Sequence, residues 1–326
     1  MGSIAALPDR LPQSSNGGAV LTFIVPAPDG CNLACPYCFI DQRLEPASTN
    51  TISPSDYRKF VEDIIKKEKV SALCIQGYEP LLDTSMEFTL SILQTGKDLI
   101  IPTSIVTNGT NLTKQAAVLT DYKPWKLCVS LDASLAEQHD KQRGRNGAFD
   151  LAVAGLRKSL EVFGPETEIA VASVLIPKRR HVLDGMPRLL ANIGVKKWIV
   201  TNLQTIKKGS TMSVLGNPIQ ILNDLRNLKQ NADSWNIEFV VDDEFGSLKS
   251  DQPMLDKEQF EAIRIRKLTN KSGVYRLLPN GQCSMGLDIL KRSQPGLLEW
   301  NPRNMDAATF LQSVKSHYAQ QIEAVP

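Results

Sequence analysis

The sequence lacks the features that would indicate a membrane or a nucleic-acid partner. No stretch of its 326 residues is apolar for long enough to cross a bilayer. Residues 1–16 lack the basic start and the apolar run of a signal peptide. The formal net charge is only +2, which is too small to indicate binding to nucleic acid or to a membrane surface. We therefore expect a cytoplasmic protein.

Short β-branched runs alternate with helical patterns along most of the chain. The predicted strands are Ala19–Val25, Val70–Ile75, Ile100–Thr107, Trp125–Leu131, Ile169–Leu175, Val195–Thr201 and Ile237–Val241. The predicted helices are Ser53–Lys67, Ser85–Thr95, Leu112–Leu119, Gly147–Val162, Val182–Asn192 and Pro218–Asn231. Crossovers of this length favour parallel strands with helices packed outside them. We predict an α/β fold, a partial (β/α)6 TIM-like barrel with the seventh run as an extra edge strand.

The barrel is expected to occupy residues 19–245, with an extension at 1–18 and a tail at 246–326. In the tail, Gln252–Lys267 has a helical pattern and Asp306–Ser316 a second one. Between them, Asn280-Gly281 predicts a hairpin turn that joins strands at Tyr275–Leu278 and Gln282–Met285. We interpret the tail as a short C-terminal cap on the barrel.

Three of the six cysteines stand within eight residues. Cys31, Cys35 and Cys38 have the spacing C-x3-C-x2-C and follow the first strand. Three thiolates at this density can each bind one iron of a [4Fe–4S] cluster. The fourth iron would keep an open position, which is typical of a catalytic metal site. The alternative is a structural zinc site, which needs a fourth ligand, and none of the three histidines is near the triplet in sequence.

Further polar motifs follow the later strands, where the chemistry of such barrels takes place. They are Gln76-Gly77-Tyr78-Glu79-Pro80, Thr107-Asn108-Gly109, Ser130-Leu131-Asp132 and His139-Asp140-Lys141-Gln142-Arg143-Gly144, the last followed by Gly147-Ala148-Phe149. With the cysteine triplet, these motifs resemble the radical SAM superfamily over residues 19–245. The resemblance is to its SPASM/twitch branch, the sulfatase-maturase-like enzymes.

The resemblance implies one [4Fe–4S] cluster on Cys31, Cys35 and Cys38, and S-adenosylmethionine (SAM) as the second cofactor. It also implies a set of SAM contacts, namely Tyr37, Gly77, Glu79, Asn108, Ser130, Arg143 and Leu175. Tyr78 departs from the family pattern because it stands where relatives have a second glycine.

The remaining cysteines and one acidic run lead to separate predictions. Cys74 and Cys128 lie within apolar strands, so we expect both to be buried and inert. The branch often carries several cysteines for auxiliary clusters in its tail, whereas this tail has only Cys283. We predict a single cluster and treat Cys283 as a candidate catalytic hydrogen-atom donor. The acidic residues Asp242, Asp243 and Glu244, at the end of the seventh run, are candidate substrate contacts.

The resemblance implies a radical SAM enzyme. Such an enzyme cleaves SAM to a 5′-deoxyadenosyl radical, with electrons from a donor such as flavodoxin or ferredoxin. We expect its substrate to be a small polar molecule, with epimerisation or other redox-neutral chemistry as the outcome. One alternative is modification of a peptide or protein side chain. Another is a non-catalytic iron–sulfur or zinc protein.

Overall fold

Strands and helices alternate along the computed structural model, which describes residues 18–38, 52–203, 218–242, 265–266, 274–279, 282–285, 298–299, 305–313 and 316. The strands are β1 (Ala19–Ile24), β2 (Val70–Gln76), β3 (Thr103–Thr107), β4 (Lys126–Ser130), β5 (Glu168–Leu175), β6 (Lys197–Asn202), β7 (Glu238–Asp242), β8 (Ile265–Arg266), β9 (Val274–Leu277), β10 (Gln282–Met285) and β11 (Leu298–Glu299). The helices are α1 (Pro54–Ile65), α2 (Asp83–Asp98), α3 (Leu112–Thr120), α4 (Ala136–Arg143), α5 (Ala148–Val162), α6 (Met186–Ile193) and α7 (Pro218–Ser234), with a 3-10 helix at Pro177–Leu183. None of the helices described is both long and apolar enough to cross a membrane.

The α/β class is confirmed by the pairing of the strands. Strand β1 pairs in parallel with β2, and β4, β5, β6, β7 and β8 pair in parallel in that order. A helix lies between consecutive strands from β1 to β7. This pattern is typical of parallel sheets covered by helices.

The described residues divide into two compact units, and the division falls within β3. The larger unit contains residues 32–38, 105–203, 218–242 and 265–266. Its strand order is β4-β5-β6-β7-β8. A cluster of buried apolar side chains forms part of its core, namely Cys128, Ala170, Ala172, Ile199 and Val240. The prediction that Cys128 is buried is therefore confirmed.

The smaller unit contains residues 18–31, 52–104, 274–279, 282–285, 298–299, 305–313 and 316. Its strand order begins β11-β10-β9-β1-β2. Strand β9 pairs in parallel with β1, whereas β9 and β10 are antiparallel. The two strands predicted around Asn280-Gly281 are thus confirmed, although the turn itself lies outside the described residues. Cys74 is buried in β2, as predicted.

Aromatic side chains pack the core of the smaller unit. The centroid of the Tyr57 ring of α1 lies 5.3 Å from that of the Phe23 ring and 4.9 Å from that of the Phe88 ring, and both contacts are edge-on. Helix α1 begins after Ser53, whose hydroxyl accepts from the backbone N–H of Asp56 at 3.2 Å, with Pro54 in the first turn. Both residues suit a helix start.

Three predicted elements differ from the structure. Strand β7 lies between β6 and β8, so the seventh run is not an edge strand. The helix predicted at 182–192 is divided near Gly185 into the 3-10 helix and α6, and α6 begins with a proline in its first turn. Residues 265–266 form β8 and not the end of a helix, while the rest of Gln252–Lys267 lies outside the described residues.

Candidate functional site

The loop after β1 carries the clustered cysteines. Cys31, Cys35 and Cys38 are each partly exposed and form no disulfide. Three thiols in one loop suit an iron–sulfur cluster, because a cluster distributes its ligands over separate irons. A single ion gathers its ligands around one point. Among the described residues, no three His, Cys, Asp or Glu side chains, those of the triplet included, lie close enough together to hold a metal ion.

A ring of three side chains fastens this loop to the residues that follow β3. The Asn108 amide donates to Asn32 Oδ1 at 2.8 Å, and the Asn32 amide donates to Thr110 Oγ1 at 2.9 Å. The Thr110 hydroxyl completes the ring by donating to Asn108 Oδ1 at 2.7 Å. Asn108 is 7% exposed. Asn108 therefore binds the cysteine loop in this structure. The sequence had predicted it only as a contact of SAM.

Asp132 is a second point of attachment for the loop. Its side chain is fully buried and forms an ion pair with Arg143, at 2.6 Å between Asp132 Oδ2 and Arg143 Nη2. The same oxygen accepts a short hydrogen bond from the Tyr37 hydroxyl. The other carboxylate oxygen accepts from the backbone N–H of Val174 at 2.8 Å. A buried carboxylate is stable in this setting because a positive charge and hydrogen bonds surround it.

Arg143 reaches the cysteine loop from the last position of α4. Its Nη1 atom lies 4.0 Å from Cys35 Sγ, and its guanidinium carbon lies 6.0 Å from the centroid of the Tyr37 ring. Its backbone carbonyl accepts from the Ala34 N–H at 3.1 Å and from the Cys35 thiol at 3.6 Å. The end of α4 is thus bonded to the loop through both side chain and backbone.

Gly144 makes this close approach possible. It follows Arg143 with φ of 68°, which favours glycine. A Cβ added there would lie 2.4 Å from the carbonyl oxygen of Ala34 and 2.7 Å from its carbon. Only a residue without a side chain fits between the end of α4 and the loop.

Electrostatic interactions keep these groups in defined protonation states. Burial raises the pKa of the Cys35 thiol, and the Arg143 charge opposes this shift. Burial, and after it the Asp132 charge, raises the pKa of Tyr37 well above its ordinary value, so the phenol stays a donor. Burial disfavours the charged form of Arg143, but Asp132, Tyr37 and Cys35 outweigh it and raise its pKa. Arg143 therefore stays charged.

Two further side chains of α4 bond to the backbone of Asp132. The Asp132 N–H donates to His139 Nδ1 at 3.1 Å. The Gln142 amide donates to the Asp132 carbonyl at 3.2 Å. Burial, followed by the nearby Arg143 charge, lowers the pKa of His139 to about 4, so its imidazole is neutral near pH 7.

The motif after β2 belongs to the smaller unit. Gly77 has φ of 87° and Tyr78 has φ of 30°. Tyr78 thus adopts a backbone conformation that is costly for any residue other than glycine. Glu79 is fully buried, and its carboxylate accepts from the backbone N–H of Leu81 at 3.0 Å.

The remaining predicted residues have varied surroundings. Ser130 is partly exposed at the end of β4, and Leu175 is fully buried at the end of β5. Asp242 ends β7 and Cys283 lies in β10, but their side chains are outside what the structure describes. Asp243 and Glu244 lie wholly outside the described residues.

Asp132, His139 and Gln142 were not among the predicted site residues. All three occur in motifs that the sequence displays, and Asp132 comes two positions after Ser130. One signal for Asp132 was available in the sequence. It places a carboxylate after a predicted strand, and Tyr37 and Arg143 were predicted at the same site. His139 and Gln142 lie in the same motif as Arg143, but nothing in the sequence links either side chain to Asp132.

Comparison with known proteins finds a family model that matches part of the chain. Residues 25–180 match the model of the Radical SAM superfamily. The AdoMet-dependent heme synthase of Methanosarcina barkeri (strain Fusaro / DSM 804) is 31% identical over 133 residues, which are 39% of this chain. The chain spans 35% of the length of that relative.

Solved structures resemble most of the chain. SuiB of Streptococcus suis, in complex with its precursor peptide SuiA, has a TM-score of 0.65 and 16% identity, covering 89% of this chain and 64% of that one. Native anSMEcpe with bound AdoMet has a TM-score of 0.66 and 18% identity, covering 92% of this chain and 82% of that one. Identities this low show the fold alone, and they confirm the α/β partial-barrel class.

Proposed function

Because residues 25–180 match the model of the Radical SAM superfamily, we propose that the chain is an enzyme of this superfamily, which cleaves SAM reductively and removes a hydrogen atom from a small polar molecule. Proteins of this superfamily use a [4Fe–4S] cluster and SAM. When bound, the cluster supplies one electron to SAM, which gives methionine and a 5′-deoxyadenosyl radical. The proposal depends above all on the C-x3-C-x2-C loop, which Asp132 binds through Tyr37 and beside which it holds Arg143.

The residues around the loop suit the ligands of such a cluster. Cys31, Cys35 and Cys38 would bind it as thiolates. Arg143 places its positive charge beside Cys35, and a nearby cation stabilises a thiolate. Asp132 in turn holds Arg143 through the buried ion pair. These residues keep the ligands and the neighbouring charges in one arrangement.

We propose that Tyr37, Asn108, Ser130, Arg143 and Leu175 of the larger unit contribute to the binding of SAM. Hydroxyl, amide and guanidinium groups suit the polar parts of SAM. Calorimetric titration of SAM should show weaker binding to the variants Ser130→Ala and Arg143→Met than to the unaltered protein. Unaltered affinity in both variants would remove these two residues from the site. Gly77 and Glu79 stay sequence-based predictions for the residues that bind the SAM amino group.

A small-molecule substrate is supported by the relative from Methanosarcina barkeri, which is named for the synthesis of heme. Modification of a peptide is the alternative, and SuiB was crystallised with its precursor peptide. At 16% identity, however, the likeness to SuiB extends to the fold only. An external one-electron donor, such as flavodoxin or ferredoxin, would complete the reaction system.

The central test is anaerobic reconstitution with iron and sulfide, followed by dithionite and SAM. The protein should then form 5′-deoxyadenosine. Replacement of Cys31, Cys35 and Cys38 by Ala should abolish both the brown chromophore and this product. The matched control is Cys74→Ala, which removes a buried thiol outside the triplet and should preserve both. A triple variant with its full iron and sulfide, or a protein that binds only zinc, would contradict the proposal.

Cys283 and the acidic run have separate tests. If Cys283 donates the final hydrogen atom, Cys283→Ala should still form 5′-deoxyadenosine but no inverted product. Product formation at the normal rate would exclude this role. Ala substitution at Asp242, Asp243 or Glu244 should lower substrate turnover, and unchanged kinetics in all three would remove them as substrate contacts.

A further inference from the structure

Helix α4 carries two buried polar side chains for which the proposed chemistry provides no role. His139 is 0% exposed and Gln142 is 2% exposed. Three positions apart, they share one face of the helix. His139 accepts from the N–H of Asp132 and Gln142 donates to its carbonyl. The helix therefore binds both backbone polar groups of a single residue.

The side chain of that residue is where the cysteine loop is attached. Its carboxylate binds the Tyr37 hydroxyl, the Arg143 guanidinium and the Val174 N–H. The backbone of a residue sets the direction of its Cα–Cβ bond, and rotation about that bond is limited by the partners of the side chain. Hydrogen bonds to the Asp132 backbone therefore fix the point from which its carboxylate reaches Tyr37 and Arg143, and the hydrogen bond from the Val174 N–H limits its rotation.

Packing alone does not account for these two polar residues. His139 Nε2 and Gln142 Oε1 are both buried without a hydrogen-bond partner. Such atoms reduce stability because their interactions with water are lost and not replaced. The His139 ring also packs edge-on against Phe149, with centroids 5.8 Å apart, and an apolar ring would preserve that contact at no such cost. A half-satisfied buried group calls for a functional explanation.

We infer that His139 and Gln142 are positioning residues that hold the backbone of Asp132, so that its carboxylate binds the cysteine loop through Tyr37 and keeps Arg143 beside Cys35. His139 acts as a neutral acceptor: Nδ1 carries no proton, so the proton resides on Nε2. Both residues act through Asp132. The inference deepens the proposed function and depends on it for its link to catalysis.

The first test uses the protein without a cluster and compares two variants of one residue. His139→Phe preserves a ring next to Phe149 but removes the acceptor. His139→Asn places an oxygen near the position of Nδ1 and restores it. In the Phe variant, the backbone amide hydrogens of residues 32–38 should exchange roughly fivefold to tenfold faster than in the unaltered protein. This is the factor expected for one lost hydrogen bond. The Asn variant should resemble the unaltered protein.

The second test uses the reconstituted enzyme. His139→Phe should lower the rate of 5′-deoxyadenosine formation by about tenfold, as expected for residues that orient metal ligands, and alter the electron paramagnetic resonance spectrum of the reduced cluster. Gln142→Leu should also lower this rate and alter this spectrum. His139→Asn should restore both readouts.

Two results would overturn the inference: a Phe variant that matches the unaltered protein, or an Asn variant as impaired as the Phe variant. If the protein binds no cluster at all, the proposed function fails. The exchange measurement without the cluster still decides whether His139 holds Asp132 in this way.

Discussion

At the scale of single residues, Asp132 and Arg143 form a buried pair whose partners depend on each other. Replacement of Asp132 by Leu would leave the Arg143 charge uncompensated in the interior. We expect the free energy of unfolding of the cluster-free protein to fall by about 3–5 kcal/mol, the usual result of breaking a buried ion pair. Urea denaturation measures this change.

The exposed pair of Arg58 and Asp98 provides the matched control. Their charged atoms are also 2.6 Å apart, but both side chains are more than a third exposed. Water screens such a pair, so Asp98→Leu should cost far less. Equal losses in the two variants would show that the Asp132 pair does not stabilise the interior as described.

The buried imidazole of His139 makes stability depend on pH. Its pKa falls from an ordinary 6.5 to about 4 in the folded protein, mainly through burial and the Arg143 charge, with Asp132 and Asp140 opposing. Below pH 6.5 the unfolded chain therefore takes up a proton that the folded protein does not. The neutral imidazole therefore makes its full contribution to the free energy of unfolding above pH 6.5. This contribution is lost as the pH falls towards 4.

This effect can be isolated by comparison with His139→Asn, which has no titrating group at the position. Between pH 7 and pH 5, the unaltered protein should lose about 2 kcal/mol more of its free energy of unfolding than the variant. Urea denaturation at the two pH values gives the difference. Parallel losses in the two proteins would mean that His139 titrates normally.

At the scale of elements, helix α4 is held in place at its end by the close contact between Gly144 and Ala34. We predict that Gly144→Ala destabilises the protein and also impairs iron binding, because the new methyl group would push the cysteine loop away. Gly147→Ala is the control: Gly147 also has positive φ, at 79°, but nothing lies within 4 Å of an added Cβ.

Both alanines carry the cost of a left-handed backbone, about 1–2 kcal/mol. Only the alanine at position 144 should also reduce the iron content after reconstitution. Iron analysis beside urea denaturation separates the two effects. Equal iron in both variants would show that the contact with Ala34 is not needed by the loop.

Helix α4 also shows where reasoning from the sequence reaches its limit. The first seven strands could be predicted because their β-branched runs are apolar and bounded by helical patterns. Residues 136–143 are polar almost throughout and have no apolar stripe, so periodicity gives no signal. The helix is held by tertiary contacts of His139, Gln142 and Arg143, which no local pattern contains.

The same limit applies to the site. The triplet and Arg143 could be proposed as site residues from the sequence because each lies in a short motif. The role of Asp132 could not, since its partners Tyr37 and Val174 are 95 and 42 positions away. Spacing within a motif carries no information about contacts at that distance.

At the scale of the whole molecule, the last described residues belong to the core of the smaller unit. Phe310 is fully buried and packs edge-on against Phe60 of α1 and Tyr275 of β9, with ring centroids 5.2 and 5.7 Å apart. Phe310→Ala should lower the free energy of unfolding by about 3–5 kcal/mol, through lost burial and the cavity left behind. Urea denaturation checks this value.

Gln312 is exposed two positions later, and its replacement by Ala should change stability by less than about 0.5 kcal/mol. A small effect at both positions would mean that the tail adds little to this core. The sequence predicted β9 and β10 of the tail, but it predicted neither β8 nor β11, nor that β9 pairs with β1.

The ring formed by Asn32, Asn108 and Thr110 also bears on how long the protein remains chemically intact. Asn-Gly pairs such as Asn108-Gly109 are prone to deamidation, in which the glycine nitrogen attacks the asparagine side-chain carbonyl. Here that carbonyl oxygen accepts two hydrogen bonds from Thr110, and the Gly109 N–H donates to Thr107 Oγ1 at 3.0 Å. Because hydrogen bonds hold both reacting groups in place, we expect Asn108 to deamidate more slowly than an asparagine in a flexible Asn-Gly segment.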